Sequence, residues 1–211
     1  MLKIIKIGGG IIDNEQDLEQ FLQTFSEIKE PKILVHGGGK GASKMLNQLG
    51  IEPKMIEGRR ITDKPTLDVV TGLYAGNLNK SIVSKLQEFG CNALGLSGAD
   101  GNAIKSSKRP VKTIDYGFVG DLNDESVNKE LFQLLIDNDI TPVVCAITHD
   151  GNGQLLNTNA DTIASTIAVA MSQENKVELN FCFDKIGVLR DVNDDTTLIP
   201  KINETLYLQL K

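Results

Sequence analysis

Short apolar runs alternate with helix-patterned stretches along the whole chain, and this alternation limits the possible folds more than any other feature of the sequence. Residues 2–7 (LKIIKI), 32–36 (KILVH), 92–97, 141–146 and 177–183 read as strands. Residues 15–28 place Leu18, Phe21, Leu22, Phe25 and Ile28 on one helical face, and 40–49, 65–89, 125–137, 160–172 and 204–210 follow as further helices. Pro65 opens the longest of these and Gly90 closes it. The stretch 51–62 predicts a hairpin turning near Glu57 and Gly58, and the polar segment 102–120 a short antiparallel excursion. Strands that are apolar on both faces need helices on both sides, which is how parallel sheets are built. The expected fold class is therefore α/β: a three-layer αβα sandwich with a mainly parallel open sheet, in a single domain over 1–211.

Composition enters mainly through what it excludes. With 211 residues, 40% hydrophobic and 24% charged, the chain has material for a substantial core. A net charge of −6 argues against a nucleic-acid or anionic-membrane surface. No apolar run approaches the roughly 20 residues that span a bilayer, and MLKIIKIGGG begins directly as a strand without the layout of a signal peptide. Cys91, Cys145 and Cys182 are odd in number and set in apolar surroundings, so buried free thiols in a reducing compartment are expected. His36 and His149 make no zinc motif. A cytoplasmic protein is expected.

Ligands of such sheets bind at the carboxyl ends of the strands. Two glycine triplets lie there: Gly8, Gly9 and Gly10 after the first strand, and Gly37, Gly38 and Gly39 after the second. Each glycine costs roughly 0.5–1 kcal/mol of extra backbone entropy against alanine. Bare backbone lets N–H groups approach an anion, so a phosphate site is the natural expectation, with tight strand-to-helix turns as the alternative. The dinucleotide pattern GxGxxG fails at Asp13 and at Ala42, and the Walker pattern fails because Gly41 follows Lys40. The acidic run 191–202 is no calcium loop, with Thr196 and Ile202 at its key positions.

Lys6 stands two residues before the first triplet, where a point charge suits a transferring phosphoryl group, although a snorkelling surface lysine is the ordinary case. Arg59 and Arg60 follow the hairpin turn; an exposed pair serves solubility, and arginine is also the preferred fork for carboxylates. In LLNTNADTIAS (155–165), Asn157, Asn159 and Asp161 crowd a helix start. Capping accounts for one of them, and Asp161 either belongs to the cap or anchors a lysine.

KIGGG, ILVHGGGKGAS, GRRIT and LLNTNADTIAS, in this order and spacing, resemble the N-acetylglutamate kinases of the amino acid kinase superfamily over essentially the whole chain. The resemblance implies the amino acid kinase fold, with an acylglutamate-binding and dimerisation lobe over about 1–150 and part of an ATP-binding lobe over about 151–211. It implies ATP with Mg2+ as the phosphoryl donor, the metal being held by phosphates and water rather than by a protein site. The acceptor would be the side-chain carboxylate of N-acetyl-L-glutamate or a related N-acylglutamate, giving an acyl phosphate in arginine biosynthesis. Carried over by position, Lys6 neutralises the phosphoryl group, and Gly8, Gly9, Gly38 and Gly39 donate N–H bonds to it and to the substrate. Arg60, Asn157 and Asn159 hold the amino-acid substrate, and Asp161 organises the catalytic lysines. Asp184, Lys185, Ile186, Gly187, Val188 and Leu189 match part of the nucleotide site, following Phe183 where many relatives have a small hydroxyl residue.

The family also places a second catalytic lysine beyond a G-M-[IV]-x-K segment, and the sequence reaches TLYLQLK without one. Met1 lies one residue from the first strand, which leaves no room for the N-terminal helix of arginine-inhibited hexamers, so an arginine-insensitive homodimer is expected. Alternatives are a kinase-like sensor that binds nucleotide or acylglutamate without turnover, and a kinase for another small carboxylate or carbamate. An N-succinyl substrate would need an additional cation, for which Arg59 is the candidate.

Overall fold

The computed structural model of the chain describes residues 1–56 and 58–210, with the backbone alone at 210. The turn expected at Glu57 falls outside the described residues. Strand β1 (Leu2–Ile7) is followed by a short helix α1 (Gly9–Asp13) and by α2 (Glu15–Glu27). Asn14 starts α2 by accepting N–H bonds from Gln16 and Asp17. At its other end the buried Lys32 donates to the Ser26 and Ile28 carbonyls at 3.1 and 2.6 Å, satisfying acceptors the helix leaves open. Next come β2 (Lys32–His36), α3 (Gly41–Gln48) and the two-stranded hairpin β3 (Met55–Ile56) and β4 (Arg59–Arg60).

The stretch 65–89, expected as one helix, is divided. It comprises α4 (Lys64–Thr71), a π-helical turn (Gly72–Leu78) and α5 (Asn79–Glu88). Asp63 caps α4 by accepting the Thr66 N–H at 2.9 Å. After β5 (Ala93–Leu96), the polar excursion pairs β6 (Ser107–Lys108) antiparallel with β7 (Gly120–Asp121). Helix α6 (Lys129–Asp137) begins four residues later than its pattern predicts, because Asn128 caps it and Asn123 and Ser126 bond each other in a preceding turn. Then follow β8 (Thr141–Cys145), the hairpin β9 (Ile147–His149) and β10 (Leu155–Asn157), α7 (Ala160–Met171), β11 (Val177–Cys182) and α8 (Glu204–Leu210). That hairpin has no periodic signal of its own in the sequence.

The central sheet runs β11-β1-β2-β8-β5 with every pairing parallel, as the apolar strands require. Alternate residues face opposite layers. Ile4, Ile33, Val35 and Val144 pack with Leu67 and Val70 of α4 and with Ile163 and Ile167 of α7. Ile5, Ile7, Leu34 and Val143 pack with Leu22 and Phe25 of α2 and with Ile82 and Leu86 of α5. Each fully buried side chain of this size contributes about 1.5–3 kcal/mol. Because α4 belongs to one layer and α5 to the other, the helical stretch passes from face to face of the sheet. The π turn sits at that crossing, and wider turns of this kind concentrate at functional sites. The three cysteines are free; Cys91 and Cys145 are buried, but Cys182, at the end of edge strand β11, is only half-buried.

Candidate active site

The carboxyl ends of β1 and β2 open into a cleft of about 330 Å³, lined among others by Lys6, Gly9, Gly37, Gly38, Gly39 and Arg60, and on its far side by Asn157, Asn159 and Asp161. The two glycine loops touch each other: a Cβ on Gly9 would stand 3.0 Å from the Gly39 Cα. Gly39 has φ +54°, a left-handed conformation that costs other residues energy, and a side chain there would also strike the Asp13 carboxylate. That carboxylate accepts the Lys40 N–H at 2.9 and 3.0 Å, clamping the end of α1 to the start of α3. Gly38 is required for a different reason. Any Cβ would overlap the ring of Tyr74, which the π turn delivers to this spot.

Lys6 and Asp161 form an ion pair at 2.7 Å. The lysine side chain is 16% exposed and the aspartate 55%, so the pair faces the cleft with the lysine the more enclosed. Asn159, not Asp161, caps α7: its Oδ1 accepts from the Thr162 N–H at 2.9 Å. This resolves the crowding of polar residues at that helix start, leaving the Asn159 amide nitrogen and Asp161 to the cleft. Asn157 donates from Nδ2 to Thr62 Oγ1 at 3.0 Å, and that hydroxyl in turn donates to the Arg60 carbonyl at 3.0 Å. The Asn157 Oδ1 is thereby left as an acceptor in the cleft.

Arg60 donates from Nη2 to Ser43 Oγ at 2.9 Å, while its Nη1 is buried with no partner among the described residues. A buried guanidinium nitrogen without an acceptor is costly and suits a bound carboxylate. Burial raises the Tyr74 hydroxyl above its ordinary range, and the Arg60 cation beside it pulls the other way. Arg59, expected as exposed surface, is half-buried and also lines the cleft, whereas Lys40 is exposed and does not.

One sequence assignment changes. Gly8 is not a free donor, because its N–H bonds the Cys182 carbonyl at 2.7 Å and ties β1 to β11. The residues expected at the nucleotide site, Asp184, Lys185, Ile186, Gly187, Val188 and Leu189, lie outside the glycine cleft. They follow β11 on the far side of α1, where the Asp184 side chain packs against Gly10. There Phe183 is 40%, Ile186 61% and Val188 49% exposed, a row of apolar side chains open to solvent. Tyr74 is among the lining residues that sequence reasoning missed, with Met55, Val119, Ala146 and Thr158. Its signal was weak, since a tyrosine in a long helical pattern reads as core.

A five-stranded parallel sheet with helices on both faces, and a glycine-walled cleft at its strand ends holding a lysine–aspartate pair, are the frame of an α/β protein that takes a small anionic ligand. The sequence profile of the amino acid kinase family matches residues 1–209, and the chain belongs to that family. It is 54% identical to the acetylglutamate kinase of Cytophaga hutchinsonii over 211 residues, covering 100% of this chain and 79% of that one. Against the acetylglutamate kinase of Bacteroides fragilis it is 55% identical over 206 residues, 98% of this chain and 78% of the relative. Among solved structures it is similar to smu.665 from Streptococcus mutans UA159, with a TM-score of 0.76 and 25% identity over 89% of this chain and 74% of that one. No helix among the described residues is long and apolar enough to cross a membrane.

Proposed function

We propose that the chain phosphorylates the side-chain carboxylate of N-acetyl-L-glutamate with ATP, as the name of its acetylglutamate kinase relatives suggests, and that this is the acid-activating step of arginine biosynthesis. The observation that carries this is one cleft holding the Lys6–Asp161 pair, converging glycine amides and an arginine nitrogen without a partner. A carboxylate oxygen attacks the γ-phosphorus in line, an O–P bond forms, and the bridging O–P bond breaks with its electron pair leaving on ADP. Both reactants are anionic, so catalysis consists of alignment and charge neutralisation.

Lys6 stands where it meets the transferring phosphoryl, held in place by Asp161. The Gly9, Gly38 and Gly39 amides donate to the phosphoryl oxygens. Arg60 takes the α-carboxylate through Nη1, and Asn157 Oδ1 accepts the substrate amide N–H. The Asn159 amide nitrogen adds a donor beside them. The Asp184–Leu189 loop with its exposed apolar side chains receives the nucleotide base, and Mg2+ enters with ATP, held by phosphates and water. Residues about 1–150 form the acylglutamate lobe and about 151–211 contribute to the ATP lobe. The open edge of β5, with Leu94 41% exposed, supports a homodimer. Light scattering that gives a monomer or a hexamer would refute the dimer.

The test is ADP release from Mg-ATP with N-acetylglutamate, repeated with N-succinylglutamate. Turnover with the first is expected. Faster turnover with the second would assign Arg59 to the acyl tail, and silence with both alongside measurable ATP binding would overturn the kinase.

A further inference from the structure

His36 ends β2 and opens the second glycine loop, yet it is fully buried and does not line the cleft. Its Nδ1 lies 2.8 Å from the Gly37 carbonyl oxygen and its Nε2 lies 3.0 Å from Asn79 Nδ2. The surroundings settle which way each group points. Asn79 Nδ2 is also 2.9 Å from the Val143 carbonyl, and Lys80 Nζ donates to Asn79 Oδ1 at 3.0 Å. A carbonyl on one side and an ammonium on the other allow only one orientation of the amide. Asn79 therefore donates to Nε2, the ring proton resides on Nδ1, and Nδ1–H donates to the Gly37 carbonyl. The C=O and N–H of one trans peptide point in opposite directions. Holding the Gly37 carbonyl toward the ring thus turns the Gly38 N–H away from it, and that N–H has no acceptor among the described residues.

We propose that His36, locked in its Nδ1–H tautomer by Asn79, is a positioning residue that aims the Gly38 N–H into the cleft as a preset donor to the transferring phosphoryl group. The inference rests on the phosphoryl-transfer function proposed above. It gives the π turn a purpose beyond Tyr74, because that turn also sets Asn79 over the ring. Burial pushes the imidazole down to about 4, and the Lys80 cation acts in the same direction. The ring therefore stays neutral at physiological pH, as an acceptor at Nε2 must.

The test has two parts, so that the two readings fail separately. Nitrogen-15 spectra of the histidine rings in the full-length protein are expected to show His36 protonated at Nδ1 and bare at Nε2. The opposite tautomer overturns the proposal whether or not the protein turns over any substrate. In kinetics with Mg-ATP and N-acetylglutamate, His36→Leu is expected to lower kcat about 100-fold, the scale for losing one aligned amide donor, with KM changed less than about threefold. His36→Asn, whose amide nitrogen stands close to the Nδ1 position, recovers about tenfold of that loss. Ile82→Ala, a buried truncation in α5 without a bond to the loop, controls for destabilisation and leaves kcat within about threefold. Equal losses in the two His36 variants, or a loss in KM instead of kcat, overturn the positioning role. If His36→Leu does not fold, Asn79→Leu carries the kinetic test with the same expected split. A wild-type protein silent toward both acylglutamates would remove the phosphoryl role of Gly38 and with it the proposal, leaving the tautomer as a structural finding.

Discussion

The glycine cleft and the loop region after β11 flank the same short helix, α1, but they are held by different means. Around the cleft, side chains bond across long stretches of chain: Asp13 to the Lys40 N–H, His36 to Asn79 and Asn157 to Thr62, the last pair 95 residues apart. Between 191 and 197 the side-chain bonds are local. Asp191 and Asp194 accept from Asn193, Thr196 and Thr197, the Asp191 N–H donates to Thr197 Oγ1, and none of these bonds reaches more than six residues along the chain. The cleft is walled by backbone in contact with backbone, while Ile186 and Val192 are 61% and 63% exposed. Preorganised donors belong where charge changes during a reaction, because reorganising them at that moment would cost rate. A surface that only receives a flat, neutral group needs apolar area more than fixed geometry.

The contrast breaks most sharply at Lys6. Lys6→Ala is expected to lower turnover by about 10³ or more, as for other cations that neutralise a transferring phosphoryl, while Lys40→Ala lowers it less than about threefold. Similar losses in steady-state assays of the two variants would show that the cleft lysine has no special part. A second test uses acid. The His36 ring titrates at 6.5 when unperturbed but at about 4 in the fold, so the unfolded chain takes up its proton first. Stability from this group is complete above pH 6.5 and is lost as pH falls toward 4, at roughly 1.4 kcal/mol per pH unit. Urea unfolding between these values should give a pH dependence steeper in the wild type than in His36→Asn, the difference approaching that slope.

Smaller effects sharpen the comparison. Gly38→Ala must displace the Tyr74 ring and should cost about 1–3 kcal/mol by denaturant titration, whereas Val192→Ala, in the exposed region, should stay within about 0.5 kcal/mol. Arg60→Lys should raise KM for the acylglutamate about 10- to 100-fold and leave kcat nearly intact, because an ammonium cannot serve Ser43 and a carboxylate with one planar fork. Ile186→Ala should raise KM for ATP about threefold and leave the acylglutamate KM and the stability unchanged. A change in the acylglutamate KM there would mean that the two regions are not separate sites.

Much of this molecule could be read from local pattern. The strand limits of β1 and β2, the Asn14–α2 boundary, the Asp63–Pro65 start of α4 and the parallel sheet all follow from short-range sterics, solvent partition and capping, which a few neighbouring residues decide. The glycine triplets pointed to the cleft, which Gly9, Gly37, Gly38 and Gly39 line, because bare backbone at strand ends lets two loops approach closely. Other features depend on what packing brings together. Nothing local in the sequence takes the Gly8 N–H for Cys182, or gives the cap of α7 to Asn159 rather than to Asp161. Nor does a run that reads as one long helix reveal the π turn that crosses the sheet and places Tyr74 on Gly38 and Asn79 on His36. Those pairings join residues tens of positions apart, where periodicity is silent and a hydrogen bond goes to whichever partner the folded core leaves within reach.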